Sequence, residues 1–103
     1  MAYIPAESGA SGVLTTTHDL GEVGNPTTLA VNTNKIVSLT PPGTGCIPIG
    51  WSYSQVLQVT GGSIGAVNGV FRFYSNAWSL MLRNFDTADI SITATITVAW
   101  AKQ

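Results

Sequence analysis

The segment that most constrains the fold is Ile90–Trp100, near the carboxyl end of the chain. Every even-numbered position in it is apolar, and most odd-numbered positions carry hydroxyl groups. Alternation with a period of two places one face of a strand in a core and the other against water or a polar neighbour. At 3.3 Å per residue the segment extends about 36 Å, which is longer than most strands of globular proteins. Because each backbone group of such a strand needs a partner, the segment predicts a large sheet and an all-β fold.

The composition predicts one weakly charged domain. A chain of 103 residues has the usual size of a single core. Only 9% of its residues are charged, against about 25% in an average soluble domain. Threonine, serine, asparagine and glycine must therefore supply the polar surface. Such a surface has little electrostatic repulsion, so we expect it to favour association with copies of itself.

Charge and hydropathy also exclude several classes of partner. The four basic residues, Lys35, Arg72, Arg83 and Lys102, are scattered, so the sequence predicts no nucleic-acid surface. No apolar run has the length of a membrane span, and we expect no membrane insertion. The amino-terminal residues lack the pattern of a secretory signal. The lone Cys46 argues against a disulfide-stapled secreted scaffold.

Along the chain, two parts differ in pattern. Residues 1–26 show neither helical nor strand periodicity and are predicted to form an extended N-terminal arm. Residues 27–103 are predicted to form an antiparallel β-sandwich or jelly-roll-like domain. Thr33-Asn34 is interpreted as a tight hairpin turn between its first two strands. The predicted strands are Thr27–Asn32, Lys35–Leu39, Ile47–Val59, Val70–Tyr74, Ala77–Arg83 and Ile90–Trp100.

The strand from Ile47 to Val59 contains one polar residue, Gln55, in its apolar phase. One hypothesis is that Gln55 pairs with its own copies around a symmetry axis. The alternative is a one-residue bulge that turns Gln55 outward. Pro48 predicts an edge position or a bulge at the start of this strand.

Three apolar residues fall in the outward phase of the middle strands, Val56, Val70 and Met81. Apolar side chains on an exposed sheet face, methionine above all, are typical of protein interfaces. Together with Gln55, these residues are predicted to form the subunit interface.

No motif predicts catalysis, a metal or a cofactor. Gly61-Gly-Ser63-Ile-Gly65 matches the string of a nucleophile elbow, but no helix follows it and the only histidine, His18, lies upstream. We therefore interpret it as a glycine-rich hairpin loop. One histidine, one cysteine and five carboxylates without clustered spacing do not make a metal site. The sequence predicts a non-enzymatic protein with no cofactor.

The aromatic residues divide into two groups. Six fall in the inward phase and are predicted to be core, namely Trp51, Tyr53, Phe71, Phe73, Trp78 and Trp100. Tyr74 and Phe85 fall outside that phase and are predicted to lie on the surface. With Asp86 and Asp89 they form a candidate glycan contact, although aspartates in such a loop are more often turn residues.

The second half of the chain resembles small β-sandwich domains of bacteriophage appendages. The resemblance covers residues 45–101. Its motifs are Gly45-Cys-Ile-Pro-Ile-Gly-Trp51, a phenylalanine-rich strand, Trp78-Ser-Leu-Met-Leu-Arg-Asn84 and the alternating last strand. Similar domains occur in head fibres, decoration proteins and tail-fibre tips, and commonly form trimers.

That resemblance implies a homotrimeric virion protein, made in the host cytoplasm and partnered by capsid or tail proteins. It fits a freestanding domain that docks onto the particle through its arm. Ile4, Pro5, Val13 and Leu14 are the predicted docking residues.

The alternative function is a carbohydrate-binding, lectin-like sandwich used for adhesion to host or other glycans. The ending Val98-Ala-Trp-Ala101 is similar to that of the H-type lectins, which are also trimeric. In that case Tyr74, Phe85, Asp86 and Asp89 would lie near the sugar.

Overall fold

The computed structural model describes residues 13–102 and confirms an all-β sandwich of two antiparallel sheets. A single 3-10 turn, Ile64–Ala66, is the helical element of this described part. The strands are β1 Val13–Leu20, β2 Thr27–Leu29, β3 Asn34–Ser38, β4 Cys46–Thr60, β5 Val67–Tyr74, β6 Ala77–Asn84 and β7 Ile90–Lys102.

The first sheet is built around β7. Strand β4 pairs with one side of β7, while β1 and β2 lie end to end along its other side. The second sheet has the order β3–β6–β5, with β6 in its centre. Among the described strands only β5 and β6 form a tight hairpin, because Ser75 and Asn76 both adopt the positive φ angles that a two-residue turn requires.

The core lies between the two central strands. The alternation of β7 is confirmed, since each of its even-numbered side chains from 90 to 100 is 2% exposed or less. Strand β6 contributes Leu80 and Leu82, which are fully buried from the facing sheet. Full burial of a large apolar side chain stabilises a fold by about 1.5–3 kcal/mol. These two strands therefore carry most of the hydrophobic stabilisation.

The edge strands β4 and β5 close the sandwich where Trp51 meets Gly69. A Cβ atom added to Gly69 would lie 2.6 Å from Cζ2 of the Trp51 indole, so glycine leaves the space that the ring occupies. Trp51 also packs edge-on against Tyr53, with ring centroids 5.2 Å apart. The Tyr53 hydroxyl is buried with no hydrogen-bond partner in the described residues, and burial raises the pKa of Tyr53.

The start of the sheet corrects the predicted arm boundary. The sandwich was expected to begin at residue 27, but β1 already pairs with β7 from Val13 to Leu20. The pattern was missed because Thr16 and His18 are polar, although they lie opposite the buried face of β7. Thr16 Oγ1 accepts a hydrogen bond from the indole nitrogen of Trp100 at 2.7 Å and lies 2.9 Å from His18 Nε2. Those bonds satisfy the polar groups at the core margin.

The predicted hairpin at Thr33-Asn34 is wrong. Strands β2 and β3 belong to different sheets, so the connection crosses the sandwich instead of folding back. The crossing begins at Asn32, which has a φ of 56° and donates its N–H to the carbonyl of Asn84. A positive φ at a single asparagine turns the chain without completing a two-residue hairpin.

Strand β4 departs from its predicted phase at three bulges. Its pairing with β7 skips Ile49, Ser54 and Leu57. The bulge at Ser54 places Gln55 opposite Thr95, on the outer face, so the bulge hypothesis is confirmed and an inward Gln55 is wrong. The same shift places Val56 opposite Ala94, on the inner face, so its predicted outward phase is wrong, although its side chain is 44% exposed.

Candidate functional site

An apolar row crosses the outer face of the second sheet. Directly opposite residues of an antiparallel sheet share a face, and Met81 of β6 is paired with Ile36 of β3 on one side and Val70 of β5 on the other. Val70 is 53% exposed and Ile36 46%. The structure thus brings together two predicted interface residues, Val70 and Met81. Ile36 completes the set, which we call the outer-face row.

A shallow hollow of about 240 Å³ adjoins this row, bounded by Asn68, Val70, Met81, Arg83 and Phe85. The Arg83 guanidinium lies 5.6 Å from the centre of the Phe85 ring and donates a hydrogen bond to Asn34 Oδ1 at 3.1 Å. The hollow is mostly apolar with one cation at its margin. That is the composition of an interface patch with a polar rim.

Strand β4 supplies a second exposed apolar surface. Within the described residues it pairs with β7 alone, which leaves its other edge without a strand. Its 15 residues include no charged side chain. Ile49, Val56 and Leu57 are nevertheless exposed, Leu57 by 51%. Natural edge strands are usually protected by charges, prolines or bulges, and here Pro48 and the bulges are the protection present. We call this surface the β4 edge.

The two aspartates of the predicted glycan contact hold loops together. Asp86 accepts hydrogen bonds from the backbone N–H of Ser63 at 3.0 Å and of Thr87 at 2.7 Å, and these bonds lower the pKa of Asp86. Asp89 accepts from the N–H of Val31 at 3.0 Å. Both carboxylates are therefore occupied by backbone donors, which favours the turn interpretation.

The four residues predicted to contact a glycan do not form one site. Tyr74 lies opposite Ala77 at one end of the β5–β6 hairpin, while Phe85 follows Asn84 at the other end. Asn84 lies seven positions along β6 from Ala77, a distance of about 23 Å. Tyr74 is 70% exposed and lies near Arg72, whose guanidinium is 5.6 Å from its ring centre.

A buried amide, Asn84, fixes the loop before β7. Its Nδ2 donates to the carbonyls of Leu29 at 2.8 Å and Ala88 at 2.9 Å, and its Oδ1 accepts from the Asp86 N–H at 2.8 Å. The side chain is fully buried. Asn84 therefore joins β2, β6 and the loop of Asp86, a role that the sequence did not indicate beyond its place at a strand end.

A cleft of about 580 Å³ lies at one end of the sandwich. Phe73 and Trp78 lie directly opposite one another in its wall, with ring centroids 4.9 Å apart. Phe73 was predicted to be core. It does lie on the inner face, yet it is 57% exposed because the cleft opens over it. We call this feature the end cleft.

The predicted docking residues are only partly described. Ile4 and Pro5 lie outside the described residues. Val13 and Leu14 form the first positions of β1, where both are exposed, and lie opposite Ala101 and Trp100. Their side chains are open to contact, although they belong to the sheet instead of an arm.

Residues 13–102 hold no group of three or more histidine, cysteine, aspartate or glutamate side chains arranged to bind a metal ion. In the same part of the chain no helix has the length and apolarity needed to cross a membrane. Ser63, the serine of the nucleophile-like string, caps the 3-10 turn by accepting a hydrogen bond from the Gly65 N–H.

Comparison of the chain with models of known protein families, with curated proteins and with solved structures finds no match.

Proposed function

We propose that this protein is a non-enzymatic structural component of a bacteriophage virion that assembles as a homotrimer. The observation that carries the proposal is the presence of two apolar surfaces, the outer-face row and the β4 edge, on a weakly charged chain. Exposed apolar patches of this kind mark association sites.

The arrangement of these surfaces favours a ring over a two-fold dimer. A two-fold dimer uses the same patch on both subunits, whereas a closed ring joins two different patches, each subunit offering both. The outer-face row lies on the second sheet and the β4 edge belongs to the first. In the proposed trimer, the β4 edge of one subunit packs on the outer-face row of the next.

The virion assignment rests on the resemblance of residues 45–101 to phage appendage domains. Capsid or tail proteins are the proposed partners, and docking through the amino-terminal residues Ile4 and Pro5, with Val13 and Leu14, stays a prediction. An antibody raised against the purified chain should detect it in gradient-purified phage particles. Signal confined to the lysate of infected cells, with none in the particles, would contradict this location.

The trimer is tested by the native mass of the purified protein, measured by light scattering behind a sizing column. We expect a mass near three times the 10.8 kDa of one chain. Val70→Asp and Leu57→Asp each bury a carboxylate in the proposed contact, so each should give a monomer. Thr28→Asp adds the same charge on the outer face of the first sheet and should remain trimeric. A monomeric wild-type protein would overturn the assignment of both surfaces.

Adhesion to a glycan is the second candidate function. The end cleft favours it, because the exposed Phe73 ring and the partly buried Trp78 ring both line it.

A further inference from the structure

The end cleft has an aromatic floor, made by the exposed Phe73 and the partly buried Trp78, that the described residues leave open. Phe73 and Trp78 occupy facing positions of β5 and β6 on the inner side of the second sheet. Their rings are tilted by 51° with centroids 4.9 Å apart, so together they form a bent apolar surface. An inner-face phenyl ring that is 57% exposed forgoes part of the stabilisation that burial would supply. A ligand seated on the two rings would recover it.

The rim of the cleft is polar and uncharged. Thr44 and Asn76 offer a hydroxyl and an amide at its margin, and the loop at Gly43 and Gly45 adds backbone donors and acceptors. None of the described residues that line the cleft carries a formal charge; the Cys46 thiol is buried. A charged ligand would lose hydration without gaining a counter-charge, so the cleft selects neutral ligands.

The exposure of the cleft to solvent further restricts the kind of ligand that it suits. A wholly apolar ligand is best held in an enclosed pocket that removes most of its surface from water. Here Phe73 remains open to solvent, which suits a ligand with one apolar face and one hydrated face. A pyranose ring has that character, since its C–H bonds form an apolar face and its hydroxyl groups project around the edge.

We propose that the end cleft binds a neutral pyranose ring, stacked on Phe73 and Trp78 with its hydroxyl groups bonded to Thr44 and Asn76. The volume of about 580 Å³ is within the range of small-molecule sites. The site differs from the one the sequence predicted, because Tyr74 is adjacent to Phe73 in the chain and points to the opposite face of the strand. The proposal does not depend on the trimer, since its residues belong to neither apolar surface.

The test uses the full ¹⁵N-labelled chain and methyl glycosides of glucose, galactose, mannose and N-acetylglucosamine, each titrated to tens of millimolar. The protein has three tryptophans, so its NMR spectrum contains three indole N–H signals, each reporting on the surroundings of one ring. We expect at least one glycoside to shift the Trp78 signal in a saturable way. The Trp100 signal should stay fixed, because that indole is buried and bonded to Thr16. No shift of the Trp78 signal by any of the four would overturn the proposal.

Variants locate the binding. Phe73→Ala should weaken it about tenfold, as expected for loss of one stacking ring. Phe73→Tyr, which retains the ring, should preserve binding, and Tyr74→Ala should leave it unchanged. Binding that survives Phe73→Ala, or that is lost with Tyr74→Ala, would place the sugar elsewhere and contradict the proposal.

A second variant keeps the test decisive if Phe73→Ala disturbs the fold, which a displaced Trp100 signal would reveal. Asn76→Gly keeps a residue that accepts the positive φ of the turn but removes the amide, and should weaken binding severalfold. Unchanged affinity in that variant would contradict the proposed rim contact. A methyl sialoside serves as the charged comparator, and tighter binding of it than of every neutral glycoside would contradict the argument from charge.

Discussion

Strands β7 and β4 are the two longest strands of the described chain and pair with one another, yet they differ in how regularly their side chains alternate. Strand β7 has neighbours on both sides, and all its even-numbered side chains from 90 to 100 lie in the core. Strand β4 has a neighbour on one side only and changes phase at three bulges. A central strand must keep its register with two partners, whereas an edge strand can absorb an extra residue by bending. Binary patterning therefore identifies central strands more faithfully than edge strands.

The largest expected effect tests that contrast directly. Ile96→Ala removes a fully buried side chain of β7 and should lower the free energy of unfolding by about 2–4 kcal/mol. In the Val70→Asp background, where the proposed contact is absent, Leu57→Ala truncates an exposed residue at a β4 bulge and should cost less than about 1 kcal/mol. Urea unfolding followed by circular dichroism measures both. Similar losses for the two variants would show that β4 is as deeply packed as β7.

Asn84 sharpens the comparison for the other central strand, β6. Asn84→Ala leaves one buried carbonyl, and a partly buried carbonyl and N–H, without their partner, and should cost about 2–3 kcal/mol. Asn68→Ala, on the exposed side of the edge strand β5, is the matched control and should be nearly neutral. A small effect at Asn84, again by urea unfolding, would mean that water replaces its bonds without cost.

Alanine substitutions at two glycines test the contact between the edge strands β4 and β5. Gly69→Ala introduces a methyl group against the Trp51 ring and should destabilise the fold by about 2 kcal/mol, because the indole must shift. Gly50→Ala places its methyl group in open space and should be nearly silent. The melting temperatures of the two variants, measured by thermal unfolding, distinguish these outcomes. If Gly69→Ala is also silent, β4 and β5 are not packed as described.

The smallest expected effect concerns the edge strand β1. Burial lowers the pKa of His18, with Asp19 opposing the shift, so the folded state binds a proton less readily than the unfolded chain. Stability is then full above the unfolded pKa near 6.5 and declines as the pH falls below it. We expect a modest decrease in unfolding free energy between about pH 7.5 and pH 5.5, and a flatter profile in His18→Gln. A wild-type profile already as flat as that of the variant would contradict the lowered pKa.

Much of the sandwich could be predicted from sequence because its central strands are strongly patterned. Ile90–Trp100 required a large sheet. The inward phase of Trp78 and the outward phase of Met81 assigned the two faces of β6, whose Leu80 and Leu82 are buried in the core. Strand β1 was missed because its inward positions include Thr16 and His18, whose burial depends on hydrogen bonds from another strand. Sequence periodicity carries no information about such partners.

The candidate surfaces were harder to predict. Val70 and Met81 follow from their phase, but their neighbour Ile36 is set by sheet order, which the sequence did not reveal. The glycan prediction placed Tyr74 and the loop of Asp86 in one site because Tyr74 and Phe85 both fall outside the inward phase. In the structure Tyr74 and that loop lie at opposite ends of the β5–β6 hairpin. The end cleft was overlooked because Phe73 has the phase of a core residue, and only the loops above it determine that it stays open.

The central claim is that two different surfaces, the outer-face row and the β4 edge, join neighbouring subunits in a ring. The most direct test mixes Val70→Asp, which retains a sound β4 edge, with Leu57→Asp, which retains a sound outer-face row. Each variant alone should be monomeric, and the mixture should form a dimer with a mass near twice 10.8 kDa, since one intact contact is restored. If either variant alone dimerises, or if the mixture stays monomeric while the wild type associates, the surfaces do not pair with one another and the account is wrong.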